Sequence, residues 1–313
     1  MLCACAAVPL LVGCGKAPEP VPQRPTATPG VTTSARTVTR TAIDMLGRTV
    51  GLPETVTKVV ALSPSAAEFA SALGLEVVGR SSDTPETVAL GAGVVGSAIS
   101  PDFTAVAALS PDLVIGDAAY HSGRTRDFDR LGLPVFVLKA TTFGEVLLAV
   151  DALGLAAARP DEAAGVRAAI ANEAVRAVDR AKGRATGQPA PRVLVLTGGG
   201  RDVFSGSETS YLGDLVKLLG GVNVVADAAE GGPIAGFGVI DIGEAARLKP
   251  DVVLILSSGQ GGLAAQIRAD SAWSGSVAVR NGRLHELDTT LYLRAPGPRV
   301  GEAMDALVGL LWP

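Results

Sequence analysis

The feature that most constrains the fold is a pattern that occurs twice, with an offset of 139 residues. Each copy is a short amphipathic helix that a proline ends, followed by a strand of β-branched residues. The copies are FTAVAALSPDLVIG at residues 103–116 and IGEAARLKPDVVLI at 242–255. A second pair, KVVALSPSA from Lys58 and RVLVLTGGG from Arg192, has a similar offset of 134. The chain is therefore predicted to contain two lobes of like architecture.

Strands and helices alternate within each predicted lobe. In the first lobe, strands are predicted near 59–62, 77–79, 113–115 and 135–138, with helices near 66–73, 103–109, 125–131 and 143–153. In the second lobe, strands are predicted near 193–196, 223–225, 252–256 and 284–287. This alternation indicates an α/β fold with parallel-type sheets covered by helices. Ahead of the first lobe, TAIDMLGRTVGLP is predicted to form a hairpin that turns at Leu46-Gly47.

A single long helix is predicted to link the lobes. Apolar or small residues recur every three or four positions along one face, at Val166, Ile170, Ala174, Ala177 and Ala181. Pro160 suits the first turn of this helix, and Gly183 suits its end. The predicted organisation is a signal peptide at 1–13, a Pro/Thr-rich tether at 14–40, an N-terminal lobe at 41–159, the helix at 160–184 and a C-terminal lobe at 185–313.

All three cysteines, Cys3, Cys5 and Cys14, precede the two lobes. Residues 2–13 are apolar or small, a length typical of the hydrophobic region of a secretory signal and too short to span a bilayer. LVGC at 11–14 resembles the lipobox of bacterial lipoproteins, which implies cleavage before Cys14 and acylation of its sulfur. The alternative, a packed apolar terminus, is disfavoured because a Pro/Thr-rich segment follows. Lipid anchoring at the outer side of the cytoplasmic membrane or in the periplasm is therefore expected.

Composition excludes several classes of function. The net charge is −4 and no basic block occurs, so nucleic-acid binding has no electrostatic basis. Only two histidines are present, His121 and His285. They are too few to provide the usual ligands of a bare zinc or manganese ion. A secreted α/β hydrolase is an alternative of a different class. It is disfavoured because no G-x-S-x-G motif occurs and two histidines leave few choices of base.

Several motifs stand in an order that resembles a known family. The lipobox and tether are followed by KVVALSPSAAEFASALG, ALSPDLVIG, the linking helix, VRNGRLHELD and LRAPGPRVGEAMDAL. This set is similar to the class III substrate-binding proteins of ABC importers, which carry cobalamin, haem and ferric siderophores. The resemblance implies a monomeric, non-enzymatic protein that binds its ligand between two lobes. Its partners would be the ABC permease and ATPase subunits and the membrane, through the lipid, with no nucleic acid.

Candidate ligand-binding residues follow predicted strands, because ligands bind at the carboxyl ends of strands in open α/β sheets. Ser65 and Thr142 also begin predicted capping boxes with Glu68 and Glu145. Tyr120 and His121 are possible axial ligands of iron or cobalt. The full candidate set is Ser63, Pro64, Ser65, Tyr120, His121, Thr142, Gly199, Phe204, Phe237, Tyr292 and Arg294.

The favoured ligand is a corrinoid, since aromatic faces at Phe204 and Phe237 and few cations suit a flat macrocycle with amide edges. Haem or a ferric siderophore is the alternative. No protein cofactor is expected. Members of the family dock on the permease through a glutamate on each lobe, and here the corresponding positions are not acidic. Asp102 and Glu244, with Asp241 close by, are the candidate docking residues.

Overall fold

The computed structural model describes Leu2 and residues 38–227, 232, 234–256 and 262–313. The predicted signal peptide beyond Leu2, and the tether up to residue 37, lie outside the described residues. Residues Arg36–Pro313 form one compact unit. No helix in the described part of the chain has the length and apolarity needed to cross a bilayer.

A hairpin precedes the first lobe, as predicted. Strands β1 (Arg40–Ile43) and β2 (Thr49–Leu52) pair antiparallel. The turn passes through Gly47, whose φ of 79° lies in the left-handed region that favours glycine. Inside the turn, the buried carboxylate of Asp44 accepts hydrogen bonds from the backbone and side chain of Arg48.

The first lobe contains a five-stranded parallel sheet in the order β5-β4-β3-β6-β7. Its strands are β3 (Lys58–Ala61), β4 (Glu76–Arg80), β5 (Gly93–Val94), β6 (Leu113–Asp117) and β7 (Val135–Leu138). Its helices are α1 (Pro64–Ala72), α2 (Phe103–Ala108), α3 (Ala118–His121), α4 (Thr125–Leu131) and α5 (Phe143–Ala156). The strands and helices predicted for this lobe are all present, with bounds that differ by a few residues.

Helix α6 (Pro160–Ala185) is the predicted link between the sheets. Its buried positions include Ile170, Ala174, Ala177 and Ala181, which belong to the predicted face. The prediction that Gly183 ends the helix is wrong, because the helical backbone continues to Ala185. Gly183 has open space around its Cα, so no packing forces the chain to turn there.

The second lobe contains a six-stranded sheet that is mixed rather than parallel. Its strands are β8 (Arg192–Gly199), β9 (Asp202–Gly206), β10 (Val222–Asn223), β11 (Phe237–Val239), β12 (Val252–Leu256) and β13 (Leu284–Glu286). Strands β9 and β11, absent from the sequence prediction, extend the sheet antiparallel beyond β8. The predicted strand near 193–196 continues through Gly198 and Gly199, which pair with β9 in a hairpin. The turn uses Gly200 at φ 65°.

Five further helices complete the second lobe: α7 (Tyr211–Leu218), α8 (Ile242–Arg247), α9 (Leu263–Ala269), α10 (Val277–Arg280) and α11 (Val300–Leu311). A π-helical turn at Thr290–Arg294 precedes α11. Helix α6 packs against both α5 and α11. One hydrophobic cluster therefore runs from the first sheet to the second, and it includes Phe69, Leu153, Ile170, Leu215 and Leu307. Where one domain ends and the next begins stays a prediction.

The repeated motif has the same structure in both lobes. After each proline, an aspartate, Asp112 or Asp251, accepts a hydrogen bond from the backbone N–H that begins the neighbouring strand. The donors are Lys58 and Arg192, both at 2.9 Å. Each carboxylate therefore joins the segment after a helix to the first residue of a neighbouring strand. The same contact is present in both lobes.

Candidate functional site

A cleft lies where the carboxyl ends of the strands in both sheets face each other. Its floor holds a cavity of about 40 Å³, and a wider hollow of about 330 Å³ adjoins it through Leu293 and Arg294. The cavity is lined by Ser65, Asp117, Ala119, Tyr120, Lys139, Ala140, Thr141, Tyr211, Ile234, Ala235, Phe237, Tyr292, Leu293, Arg294 and Pro296. Both lobes therefore contribute to one site, as expected from the positions of the strand ends.

Tyr120 lines the cavity from the first lobe. It stands on the short helix α3, directly after β6. Burial, the largest cause, raises the pKa of the Tyr120 phenol to about 12, and the nearby carboxylate of Asp117 adds to this rise. The phenol is therefore neutral at ordinary pH and offers a hydrogen-bond donor to the cleft.

His121 does not face the cleft, and the prediction that it lines the ligand site is wrong for this structure. Its side chain is fully buried, 5.9 Å from the ring of Phe128 between centroids. The ring Nδ1 accepts a hydrogen bond from the backbone N–H of Asp117 at 2.9 Å. Burial lowers the pKa of His121 to about 4, so the ring is neutral and holds α3 against β6. The sequence did not indicate that His121 is buried. Helix α3 is a single turn, too short to show a hydrophobic periodicity, and tertiary packing determines which of its residues face inward.

The loop after β3 supplies one cavity residue rather than three. Ser63 is fully buried and caps α1, since its Oγ accepts from the backbone N–H of Ala66 at 3.0 Å. Pro64 is the buried first residue of that helix. Only Ser65 lines the cavity, and its Oγ donates to the carbonyl of Pro296 in the second lobe at 2.7 Å. The predicted capping box that starts at Ser65 is therefore wrong: the cap is two residues earlier.

At the start of α5, Thr142 is a helix cap, as predicted, and accepts from the backbone N–H of Glu145 at 3.2 Å. The Glu145 carboxylate returns to the backbone N–H of Thr141 rather than to Thr142. Thr141 lines the cavity with Lys139, whose ammonium pairs with Glu145 at 2.7 Å. At the end of β7, the cavity is therefore lined by Thr141 and not by the predicted Thr142, one residue later.

Three of the residues predicted in the second lobe line the cavity: Phe237, Tyr292 and Arg294. Phe237 is buried on β11 and contributes an apolar wall. Tyr292 is buried too, and its Oη donates to the carbonyl of Ala303 at 3.0 Å, which leaves its ring toward the cavity. Arg294 is half-buried and lines both the cavity and the hollow.

The remaining two predicted residues lie on the hairpin of β8 and β9. Gly199 is exposed and lines the wider hollow. Phe204 is half-buried and packs against the main hydrophobic cluster. It pairs with Thr197 in the register of β8 and β9. Its ring therefore has a packing role that the sequence did not indicate, because β9 itself was not predicted.

Sequence reasoning missed four polar residues of the cavity: Asp117, Lys139, Thr141 and Tyr211. Asp117 is the last residue of β6, and Lys139 directly follows β7. The rule that ligands bind at strand carboxyl ends would have found both. Tyr211 begins α7, where no strand end points to it. It is buried, its hydroxyl has no hydrogen-bond partner in the described part of the chain, and burial raises the pKa of this phenol.

No group of three or more His, Cys, Asp or Glu side chains in the described residues is arranged to hold a metal ion. The expectation that the chain holds no bare zinc or manganese ion stays a prediction.

Two of the carboxylates considered for docking, Asp102 and Asp241, occupy equivalent places on the two lobes. Asp102 caps α2 by accepting from the backbone N–H groups of the next helical turn, and Asp241 caps α8 in the same way. Glu244 is exposed on the first turn of α8. The repeat therefore pairs Asp102 with Asp241 rather than with Glu244.

Two α/β lobes joined by one helix, with a cleft at the strand ends, define a substrate-binding protein. The chain belongs to the periplasmic binding protein family, whose model matches residues 59–291. It is thus an extracytoplasmic substrate-binding component of an ABC importer and not an enzyme, which confirms the resemblance seen in the sequence and excludes the hydrolase alternative.

Individual relatives share this architecture. The chain is 23% identical over 256 residues to the Fe(3+)-citrate-binding protein YfmC of Bacillus subtilis, covering 78% of this chain and 77% of that protein. An ABC transporter substrate-binding protein from Listeria monocytogenes is 24% identical, with a TM-score of 0.69 over 82% of this chain and 99% of that one. A periplasmic haem-binding protein from Pseudomonas aeruginosa is 25% identical, with a TM-score of 0.70 over 82% of this chain and 93% of that one.

Proposed function

We propose that this protein binds an iron(III) chelate bearing carboxylate groups in the cleft and delivers it to an ABC permease. Haem, through its propionates, and ferric citrate both belong to this chemical class. The names of two relatives support iron, since one is named for Fe(3+)-citrate and the other for haem. The permease and ATPase subunits are the expected partners.

The observation that carries this proposal is the position of Arg294. Arg294 lines both the cavity and the hollow, and its side chain makes no hydrogen bond or ion pair with any residue in the described part of the chain. A guanidinium offers five N–H donors in a planar fork that matches a carboxylate. A half-buried arginine without a protein partner is suited to an anionic group of the ligand.

Two further groups in the cleft fit the same ligand. Lys139 adds a second cation, whose partner Glu145 lies outside the set of cavity-lining residues. The neutral phenol of Tyr120 offers a hydrogen bond. It would become an oxygen ligand for iron if the Lewis-acidic metal displaced its proton to solvent water. An iron chelate is larger than the cavity of about 40 Å³, so it would also occupy the adjoining hollow of about 330 Å³.

Calorimetric titration of the ligand-free protein tests the proposal. The probes are ferric citrate, hemin, cyanocobalamin and dicyanocobinamide. We expect at least one iron probe to bind, and Arg294→Ala to weaken it by about tenfold to a hundredfold, the value of a charge-assisted hydrogen bond. Arg294→Lys should retain part of the affinity. Arg201→Ala, an exposed arginine of the same lobe, is the matched control and should change nothing. Unchanged iron binding in Arg294→Ala would contradict the proposal.

A corrinoid is the second candidate, as the sequence suggested. The observation that favours it is the apolar character of the walls at Ile234, Phe237 and Leu293. A flat macrocycle with carboxamide edges buries apolar surface there and needs few cations. Binding of the two cobalt probes, with no binding of ferric citrate or hemin, would select this candidate.

Anchoring completes the proposed function. Acylation of Cys14 would hold the two lobes at the outer face of the cytoplasmic membrane, within reach of the permease. The protein would act as a monomer. Docking would use Asp102 on the first lobe and the region of Asp241 and Glu244 on the second, which are the exposed carboxylates at equivalent helix starts.

A further inference from the structure

We propose that Asp117 determines specificity within this cleft, by accepting a hydrogen bond from an N–H or ammonium group of the bound chelate. The inference rests on the proposed function and narrows the class of iron chelate that the cleft would bind. The favoured iron chelates would combine a carboxylate, held by Arg294, with a hydrogen-bond donor, held by Asp117.

The Asp117 carboxylate lines the cavity although it is only 8% exposed. Its Oδ2 accepts from the Oγ of Ser63 at 3.0 Å, and its Oδ1 accepts from the backbone N–H of Ala119 at 2.9 Å. A carboxylate has about four acceptor positions, and these two bonds use half of them. The carboxylate therefore has capacity for another donor, and Asp117 lines the cavity, where a bound ligand would supply one.

Asp117 forms no ion pair among the described residues, and its hydrogen-bond partners there, Ser63 and Ala119, are neutral. Burial raises the pKa of this carboxyl, and the bonds from Ala119 and Ser63 only oppose the rise. A buried carboxylate without a cation is costly in a folded protein and is more often found at functional sites than elsewhere.

A purely structural role does not account for the charge. Asp117 caps the single turn of α3, and a neutral asparagine or serine caps a helix as well as aspartate does. The bond with Ser63 likewise needs only an oxygen acceptor. What the carboxylate adds is a negative potential at the floor of the ligand cavity, which attracts a donor and repels an anionic edge.

Asp117 from the first lobe and Arg294 from the second both line this cavity. A chelate with carboxylates on every edge would satisfy Arg294 and be repelled by Asp117. A chelate with an amide or ammonium N–H at one edge would satisfy both groups. Polar complementarity of this kind discriminates between ligands more than it adds to affinity.

The test compares Asp117→Asn with the wild-type protein on two iron probes. Ferrioxamine G carries a terminal carboxylate together with a free ammonium and amide N–H groups, whereas ferric citrate has only oxygen acceptors and carboxylates at its edge. We expect Asp117→Asn to weaken ferrioxamine G by roughly tenfold or more, because a charge-assisted hydrogen bond is lost. The same substitution should leave ferric citrate binding equal or tighter. A loss of equal size for both probes would show a structural role and overturn the inference.

A comparison in the wild-type protein keeps the inference testable if the variant does not fold. Ferrioxamine G should bind at least several-fold more tightly than its N-acetylated form, which keeps the carboxylate but lacks the ammonium. Absence of that preference, including absence of binding to both trihydroxamates, overturns the inference about Asp117. If ferric citrate or hemin binds in that case, the proposed function stands. Failure of every iron probe contradicts the proposed function itself.

Discussion

Arg299 of the second lobe reaches the buried carboxylate of Glu68 in the first lobe, with 3.4 Å between Nη1 and Oε1. Glu68 is only 6% exposed, and its Oε2 has no partner among the described residues. Burial raises the pKa of Glu68, and the Arg299 guanidinium opposes this rise. With the nearby bond from Ser65 to Pro296, this pair ties the two lobes together beneath the cleft.

Removing the cation of this pair should destabilise the protein. We expect Arg299→Ala to lower the free energy of unfolding by about 1–3 kcal/mol, because a buried carboxylate loses its charged partner. The matched control is Arg180→Ala, which breaks an exposed pair with Asp305 and should cost less than about 1 kcal/mol. Urea unfolding of the three proteins gives both values. Equal losses would contradict the burial argument.

His121 should make the fold sensitive to acid. Its folded-state pKa of about 4 lies below the ordinary value of 6.5, so the unfolded chain binds more protons between these values. The contribution of neutral His121 is therefore complete above pH 6.5 and is lost as pH falls toward 4, by up to about 3 kcal/mol. Urea unfolding between pH 4 and 7 should show a shallower decline for His121→Gln than for wild type. Parallel curves would show that His121 does not carry the effect.

Docking on the permease should depend on the exposed carboxylates of the repeat. Asp102→Ser with Asp241→Ser removes two charges but keeps both helix caps, since serine caps a helix well. We expect weaker stimulation of the transporter ATPase and unchanged affinity for the iron chelate. Glu244→Gln separately tests the other candidate on α8. Full stimulation by all these variants would place docking elsewhere.

Cys14 should determine where the protein is found. We expect Cys14→Ala to move the protein from the membrane fraction to the soluble fraction after cell fractionation, because the acylated residue is lost. Thermal unfolding of the two lobes should be the same in both proteins. A folded variant that remains with the membrane would contradict lipid anchoring through this residue.

The sequence predicted the features that depend on local pattern. The duplicated helix–proline–strand motif gave the two sheets, and the apolar face of residues 166–181 gave the linking helix. What it did not predict depends on tertiary contacts. Strands β9 and β11 form only because β8 continues through its glycines into a hairpin.

The candidate site was predicted to the level of the strand ends but not of individual side chains. Tyr120, Phe237, Tyr292 and Arg294 line the cavity as expected, whereas His121 and Ser63 point into the protein. Adjacent residues on a short turn point in different directions, so a one-residue difference decides between cleft and core. A difference of one residue also hid Thr141, which lines the cavity next to the predicted Thr142.

The central claim is that the cleft carries an iron chelate, and the most direct test is the ligand that the protein holds when isolated from its own cells. Native mass spectrometry and elemental analysis of that complex measure the mass and the metal together. We predict one iron per chain and an added mass that corresponds to an organic chelate with carboxylate groups. One cobalt per chain with the mass of a corrinoid, or a bound solute that contains no metal, would contradict the account.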